Sequence, residues 1–145
     1  MKYFIKEDKK YKETEIEIRC HSYNKEIANL VNYIKKNQDY IIGKKEDMNY
    51  SIVFDNIYYI ESVDNKTFVY TCDDCYEVNY PLYKLEELLM SYKCIRISKS
   101  MILNIHYLKS VKALFNGKYE AMLINDEKLI ISRRYVSSFK KEFGL

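Results

Sequence analysis

The 145-residue sequence predicts a mostly β domain preceded by a small β-α-β unit. Three observations carry that expectation. From Asn49 onward, short runs rich in Tyr, Ile and Val recur between turn-forming dipeptides. The chain holds 16 Tyr, and aromatic and β-branched side chains suit a pleated, half-buried surface. Only three segments repeat apolar residues with the period of a helix. The length fits one ordinary domain with a short extension.

The elements follow in order. Thr14 to Cys20 alternates, with Ile16, Ile18 and Cys20 on one face, and reads as a half-buried strand. Ile27, Leu30, Val31 and Ile34 then form one apolar stripe, with Ser22 or Asn24 able to cap the helix. A strand near Tyr40 to Ile42 closes residues 1–46 as the β-α-β unit, which is too short for a receiver domain, so no phospho-acceptor domain is expected. Strands are predicted near 50–54, 57–62, 67–72, 75–80, 94–97, 109–115, 118–124 and 128–132. Asn65-Lys66, Asp73-Asp74, Asn116-Gly117 and Asn125-Asp126 supply turns, Asn-Gly being the strongest hairpin signal. Pro81 fits the first position of a helix whose buried stripe is Leu82, Leu85, Leu88, Leu89 and Tyr92. A last helix runs from about Arg134 to Phe143, with Val136, Phe139 and Phe143 inward and Gly144 as its stop.

Charge is unevenly spread. Residues 1–46 sum to +3, residues 47–90 to −7 and residues 91–145 to +7. A concentrated cationic surface attracts polyanions through counterion release, but the −7 and +7 blocks can equally neutralise each other within the fold. No run approaches the length of a membrane span, and the start lacks a signal-peptide apolar core, so a cytoplasmic protein without membrane insertion is expected. Cys72 and Cys75 form a C-x-x-C pair that Cys20 and His21 can in principle extend to a zinc set. The same pair also flanks a two-residue hairpin loop, and no second close pair exists, so no metal, cofactor or catalytic residue is assigned. With only three Gly there is no phosphate-cradling loop, and no nucleophile-elbow motif is present.

Two stretches resist a purely structural account. In Arg96 to Asn104, Arg96, Ser98, Lys99 and Ser100 stand where a strand gives way to a loop, a mixture that suits phosphate oxygens. Asn104 can bond adenine bidentately, or cap a short helix over Ile105 to Leu108. His106 is a further candidate for a phosphate. In Ser132-Arg133-Arg134-Tyr135, Ser132 suits an N-cap, yet two arginines in the first turn oppose the helix dipole at up to about 1 kcal/mol each. Either an anionic partner lies outside the fold, or one arginine pairs with Glu120 or Glu127, and the latter is expected for one of the two.

The ordered set of motifs resembles the LytTR DNA-binding domain over roughly residues 47–145. It comprises Ile57 to Ser62, the hairpin Thr67 to Tyr80, the leucine-rich Leu82 to Leu89, the R-x-x-[KR]-S-x-x-[VL]-N run from Arg96 to Asn104, and I-S-R-R-Y-V from Ile131. The resemblance implies an elongated sandwich of small antiparallel sheets, with DNA-reading residues on loops that enter successive major grooves of promoter direct repeats. Carried over by position, Asn104 and Arg134 read bases, and Lys66 or Thr67 fills the hairpin contact. Arg96, Lys99 and Ser100 hold the backbone, with Arg133 and Tyr135 nearby. Ser98 stands where the family usually has His, so no contact there can become cationic. Residues 1–46 are similar to the extension of stand-alone LytTR regulators, a packing or homodimerisation unit.

The expected function is a double-stranded DNA-binding transcription regulator without catalysis. Two other classes remain open: a protein-interaction or ligand-sensing module without nucleic-acid binding, and a single-strand binder using tyrosines.

Overall fold

Strands account for most of the regular structure beyond residue 39. The computed structural model describes every residue except Met1, Glu13, Asn37 and Gln38, and every side chain except those four and Lys35 and Lys36. The chain divides into two units, residues 1–37 and residues 38–145.

Among the described residues of the first unit the regular element is α1 (Lys25–Lys36). Asn24, rather than Ser22, caps it: its Oδ1 accepts the Ile27 N–H at 3.0 Å. Ile27, Leu30 and Val31 are half-buried, as the stripe requires. The strand expected over residues 14–20 is not formed. Alternation prepares one face of a strand, but the ladder needs a neighbour for its N–H and C=O groups. The segment expected to supply that neighbour, near Tyr40, is instead part of the second unit. The β-α-β reading of residues 1–46 is corrected accordingly.

Among the described residues the second unit has ten strands. β1 (Tyr40–Lys45), β2 (Met48–Val53), β3 (Tyr59–Val63), β4 (Lys66–Tyr70), β5 (Cys75–Val78), β6 (Cys94–Arg96) and β7 (Met101–Asn104) form a seven-stranded antiparallel sheet in the order β2-β1-β5-β4-β3-β7-β6. β8 (Leu108–Ala113), β9 (Tyr119–Leu123) and β10 (Lys128–Ile131) form a second sheet in the order β10-β9-β8. α2 (Leu82–Leu88) and α3 (Arg133–Phe143) complete the unit.

Period-two alternation splits the core in two. Ile60, Val69, Val78 and Ile102 face α2, where Leu82, Leu85 and Leu89 are buried. Tyr59 and Leu103, their neighbours in sequence, face the other way onto Ala121, Leu123, Leu129, Ile131 and Phe139. The seven-stranded sheet is therefore sandwiched between α2 and a layer made of the three-stranded sheet and α3. The tyrosines largely serve this packing: Tyr59 stacks on Tyr70 at 4.3 Å and Tyr58 on Tyr107 at 3.8 Å between ring centroids.

Several local expectations change. Pro81 is the N-cap residue of α2 rather than its first helical residue. That helix ends at Leu88, which is 37% exposed, and a 3₁₀ turn over Met90–Tyr92 follows. The β3–β4 turn is Asp64-Asn65, both with positive φ, which places Lys66 inside β4 opposite Val63. Glu46 and Asp47 form a turn of the same kind between β1 and β2. The Asn116-Gly117 turn is a three-residue loop in which only Gly117 has positive φ. β7 lies where a loop was expected, bonded to β3 on one side and to the edge strand β6 on the other.

Candidate nucleic-acid interface

Three segments meet at one end of the second unit. The first is the β3–β4 turn, Asp64 to Lys66. The second is the β6–β7 loop, Ile97 to Ser100. The third is the start of α3, Ser132 to Tyr135. Backbone bonds tie them together. The Ser62 N–H donates to the Ser100 carbonyl at 2.8 Å, and the Ser132 N–H donates to the Ile97 carbonyl at 2.9 Å. Ile97 itself is fully buried and pins the loop to the core.

The β6–β7 loop is held from inside by Arg96. Its Nε donates to the Ser98 carbonyl at 2.8 Å, its Nη2 to the Lys99 carbonyl, and its Nη1 to Glu86 Oε2 at 2.8 Å. All three nitrogens of the guanidinium are thus engaged within the protein. The phosphate contact expected of Arg96 is corrected to an internal role, shaping the loop that carries Lys99. Ser98 and Ser100 are half-buried and bond each other: the Ser100 N–H donates to Ser98 Oγ at 3.2 Å, and the two hydroxyl oxygens lie 3.4 Å apart. Lys99, between them, is exposed.

Asn104 is 2% exposed. Its Nδ2 donates to the Ile57 carbonyl at 2.8 Å, and its Oδ1 accepts the His106 N–H at 3.0 Å, capping a 3₁₀ turn over Ile105–Tyr107. It stands at the end of β7 remote from the loop, about 10 Å from Met101 at the usual rise of a strand. Base reading by Asn104 is therefore corrected to the capping alternative. His106 lies at that same remote end, away from the three segments. Thr67 is buried within β4, so of the hairpin pair only Lys66 is accessible.

At α3, Arg133 and Arg134 are both exposed and Tyr135 is half-buried against the core. Ser132 occupies the N-cap position without a capping bond, because its hydroxyl donates to the Ile97 carbonyl at 3.3 Å. The expected pairing of one arginine with Glu120 or Glu127 does not occur. Glu120 lies 3.6 Å from Lys112 and 3.9 Å from Lys128, and Glu127 forms no ion pair with either arginine among the described residues. Among the described residues, Lys66, Lys99, Arg133 and Arg134 form no ion pair.

The arrangement is four uncompensated cations on rigidly joined turns, with orphan N–H groups of a helix start beside them. Such a surface attracts phosphate, and an exposed Arg can reach O6 and N7 of guanine. The conflict of the two arginines with the helix dipole singled out this segment in the sequence, but the pairing expected for one of them did not follow, because Glu120 is taken by Lys112 and Lys128. The inward turn of Arg96 was not legible, because it depends on Glu86 of α2 arriving beside the loop.

Comparisons with known proteins bear on the family and the fold. Residues 47–144 match the LytTR DNA-binding domain family. A transcriptional regulatory protein LytR of Staphylococcus aureus is 33% identical over 90 residues, covering 62% of this chain and 37% of that protein. A sensory transduction protein LytT of Enterococcus faecalis is 27% identical over 100 residues, covering 69% and 41% respectively. The chain thus spans less than half the length of these curated relatives. A solved LytTR DNA-binding domain from Bacillus cereus superposes with a TM-score of 0.71 at 26% identity, covering 75% of this chain and all of that one.

Proposed function

The chain belongs to the LytTR DNA-binding domain family, and on that footing we propose that it is a transcription regulator that binds double-stranded promoter DNA sequence-specifically, at direct repeats. The observation that carries this reading is the set of four unpaired cations, Lys66, Lys99, Arg133 and Arg134, on three hydrogen-bonded segments. Arg134 reads a base edge, with guanine the chemically matched target. Lys66 fills the hairpin contact. Lys99 and Arg133 neutralise phosphates, and the Ser98 and Ser100 hydroxyls and Tyr135 flank them. Arg96 and Asn104 support this surface from behind without touching DNA.

Residues 1–37 serve as a homodimerisation unit in this reading. Supporting it, Tyr33 is 67% and Ile34 37% exposed on α1, an apolar surface beyond what the unit covers itself.

Selection of duplexes from a random pool by the full chain tests the function. An enriched sequence containing a repeated element is expected. If repeated rounds enrich no duplex, the DNA-reading assignment is wrong.

A further inference from the structure

The β8–β9 turn is not one of the three segments, yet it reaches them. A Cβ placed on Gly117 would lie 2.9 Å from Arg133 Cδ and 3.1 Å from Arg133 Cγ. The turn's backbone therefore lies directly against the stem of an arginine assigned to the interface. Register explains the placement. Tyr119, which opens β9, pairs with Ile131 just before α3 begins, so the turn of residues 114–118 projects past the helix start.

The tip has a composition that the fold does not require. The turn is closed by the Leu114 N–H bonding to the Lys118 carbonyl at 2.7 Å, and the Asn116 side chain accepts the Lys118 N–H at 3.3 Å. Gly117 supplies the one positive φ. Phe115 contributes to none of this. It is 109% exposed, more than any other large apolar residue among those described, and stands free of both core clusters. The equivalent turn between β9 and β10 has the same hydrogen bonds with Ile124 in that place, and Ile124 is 52% exposed. Turn geometry alone thus does not drive the ring fully into solvent. No Asp or Glu occurs between Glu87 and Glu120, so nothing on the tip repels phosphate. Lys118 forms no ion pair among the described residues.

We infer that the β8–β9 turn is a fourth DNA-contacting segment, in which Phe115 lies against the deoxyribose and thymine-methyl surface of base pairs flanking those read by Arg134. Lys118 meets the adjoining phosphate. A flat apolar ring beside cations fits this surface, because sugars and thymine methyls are the apolar parts of a polyanion. The inference rests on the DNA reading above and adds a contact to it.

Phe115→Ala changes a side chain with no packing role, so it leaves the fold intact, which circular dichroism checks. The probe is the duplex recovered by selection with the wild-type full chain, used whole and trimmed by half a helical turn on the side that the Arg134→Ala footprint identifies. On the whole duplex Phe115→Ala should bind about five- to tenfold more weakly, and hydroxyl-radical protection at that edge should disappear. On the trimmed duplex variant and wild type should bind alike. Equal binding to the whole duplex overturns the inference while leaving the wild type's selective binding, and so the DNA reading, intact. An equal loss on whole and trimmed duplexes also overturns it, since the effect would not pass through the flank. Failure of the wild type to select any duplex removes the DNA reading and this contact together.

Discussion

Arg134 and Asn104 show how differently two polar residues of one motif set are used. Arg134 is exposed and unpaired, so its removal should act on DNA alone. Arg134→Ala is expected to cost about 1–3 kcal/mol on the selected duplex and to relax one base position, measured by competition against single-base variants. An unchanged base preference would remove its reading role. Lys99→Ala should weaken selected and scrambled duplexes alike and lower the salt slope by about one unit. Asn104→Ala should instead lower stability by about 1–3 kcal/mol in urea unfolding, because the Ile57 carbonyl and His106 N–H lose a buried partner. Per folded molecule its DNA affinity should stay within about twofold. A loss of affinity without a loss of stability would restore Asn104 to the reading surface. Asn104 was ambiguous in the sequence because capping and adenine recognition use the same amide. Only its burial decides between them.

At the scale of elements, alternation and turn chemistry made most strands of the second unit legible, as well as the two helices of that unit. Two elements escaped. β7 was hidden because its three apolar residues follow the polar Ser98-Lys99-Ser100 run, which drew the stretch toward a loop reading. The β1–β2 hairpin was hidden because its turn is Glu46-Asp47, two non-glycine residues at positive φ that give no Asn-Gly signal. β1 then went to the wrong unit. Gly43 in that strand tests its true place. It pairs with Tyr50 on one side and Val78 on the other, and an added Cβ would meet Tyr76 Cβ at 2.6 Å and Ile52 Cδ1 at 2.5 Å. Gly43→Ala should therefore destabilise the sheet by about 1–3 kcal/mol, read as a lower urea midpoint. If the midpoint does not move, β1 does not sit between β2 and β5 as described.

Across the whole molecule, buried titratable groups set an alkaline limit. Burial, with the charge of Asp55 behind it, pushes the Cys94 thiol up to about 12, and burial likewise pushes the Tyr70 hydroxyl up to about 12. Both are neutral below their unfolded values, where their contribution to stability is complete. It is lost as pH rises from about 9 toward 12, because the unfolded chain releases these protons first. The urea midpoint should be level near neutrality and fall above about pH 9, and Cys94→Ala should flatten part of that fall. A chain beginning at Asp39 should keep both sheets yet sediment as a monomer, whereas the full chain sediments as a dimer. An unchanged oligomeric state would remove the dimer role of residues 1–37. The charge pattern of the sequence pointed to residues 91–145, but the candidate site uses only part of that block and also takes Lys66 from the acidic block before it. Lys109, Lys112 and Lys128 lie near Asp126 and Glu120, while Lys66, Lys99, Arg133 and Arg134, which form no ion pair among the described residues, gather where three segments are bonded together. The most direct test of that site is a salt titration of the full chain on the selected duplex against a scrambled duplex of equal length. The account predicts a slope of about −3 to −4 in log affinity against log salt and a preference of about 10³ for the selected duplex. A steep slope with no preference, or no binding to either duplex at low salt, would contradict it.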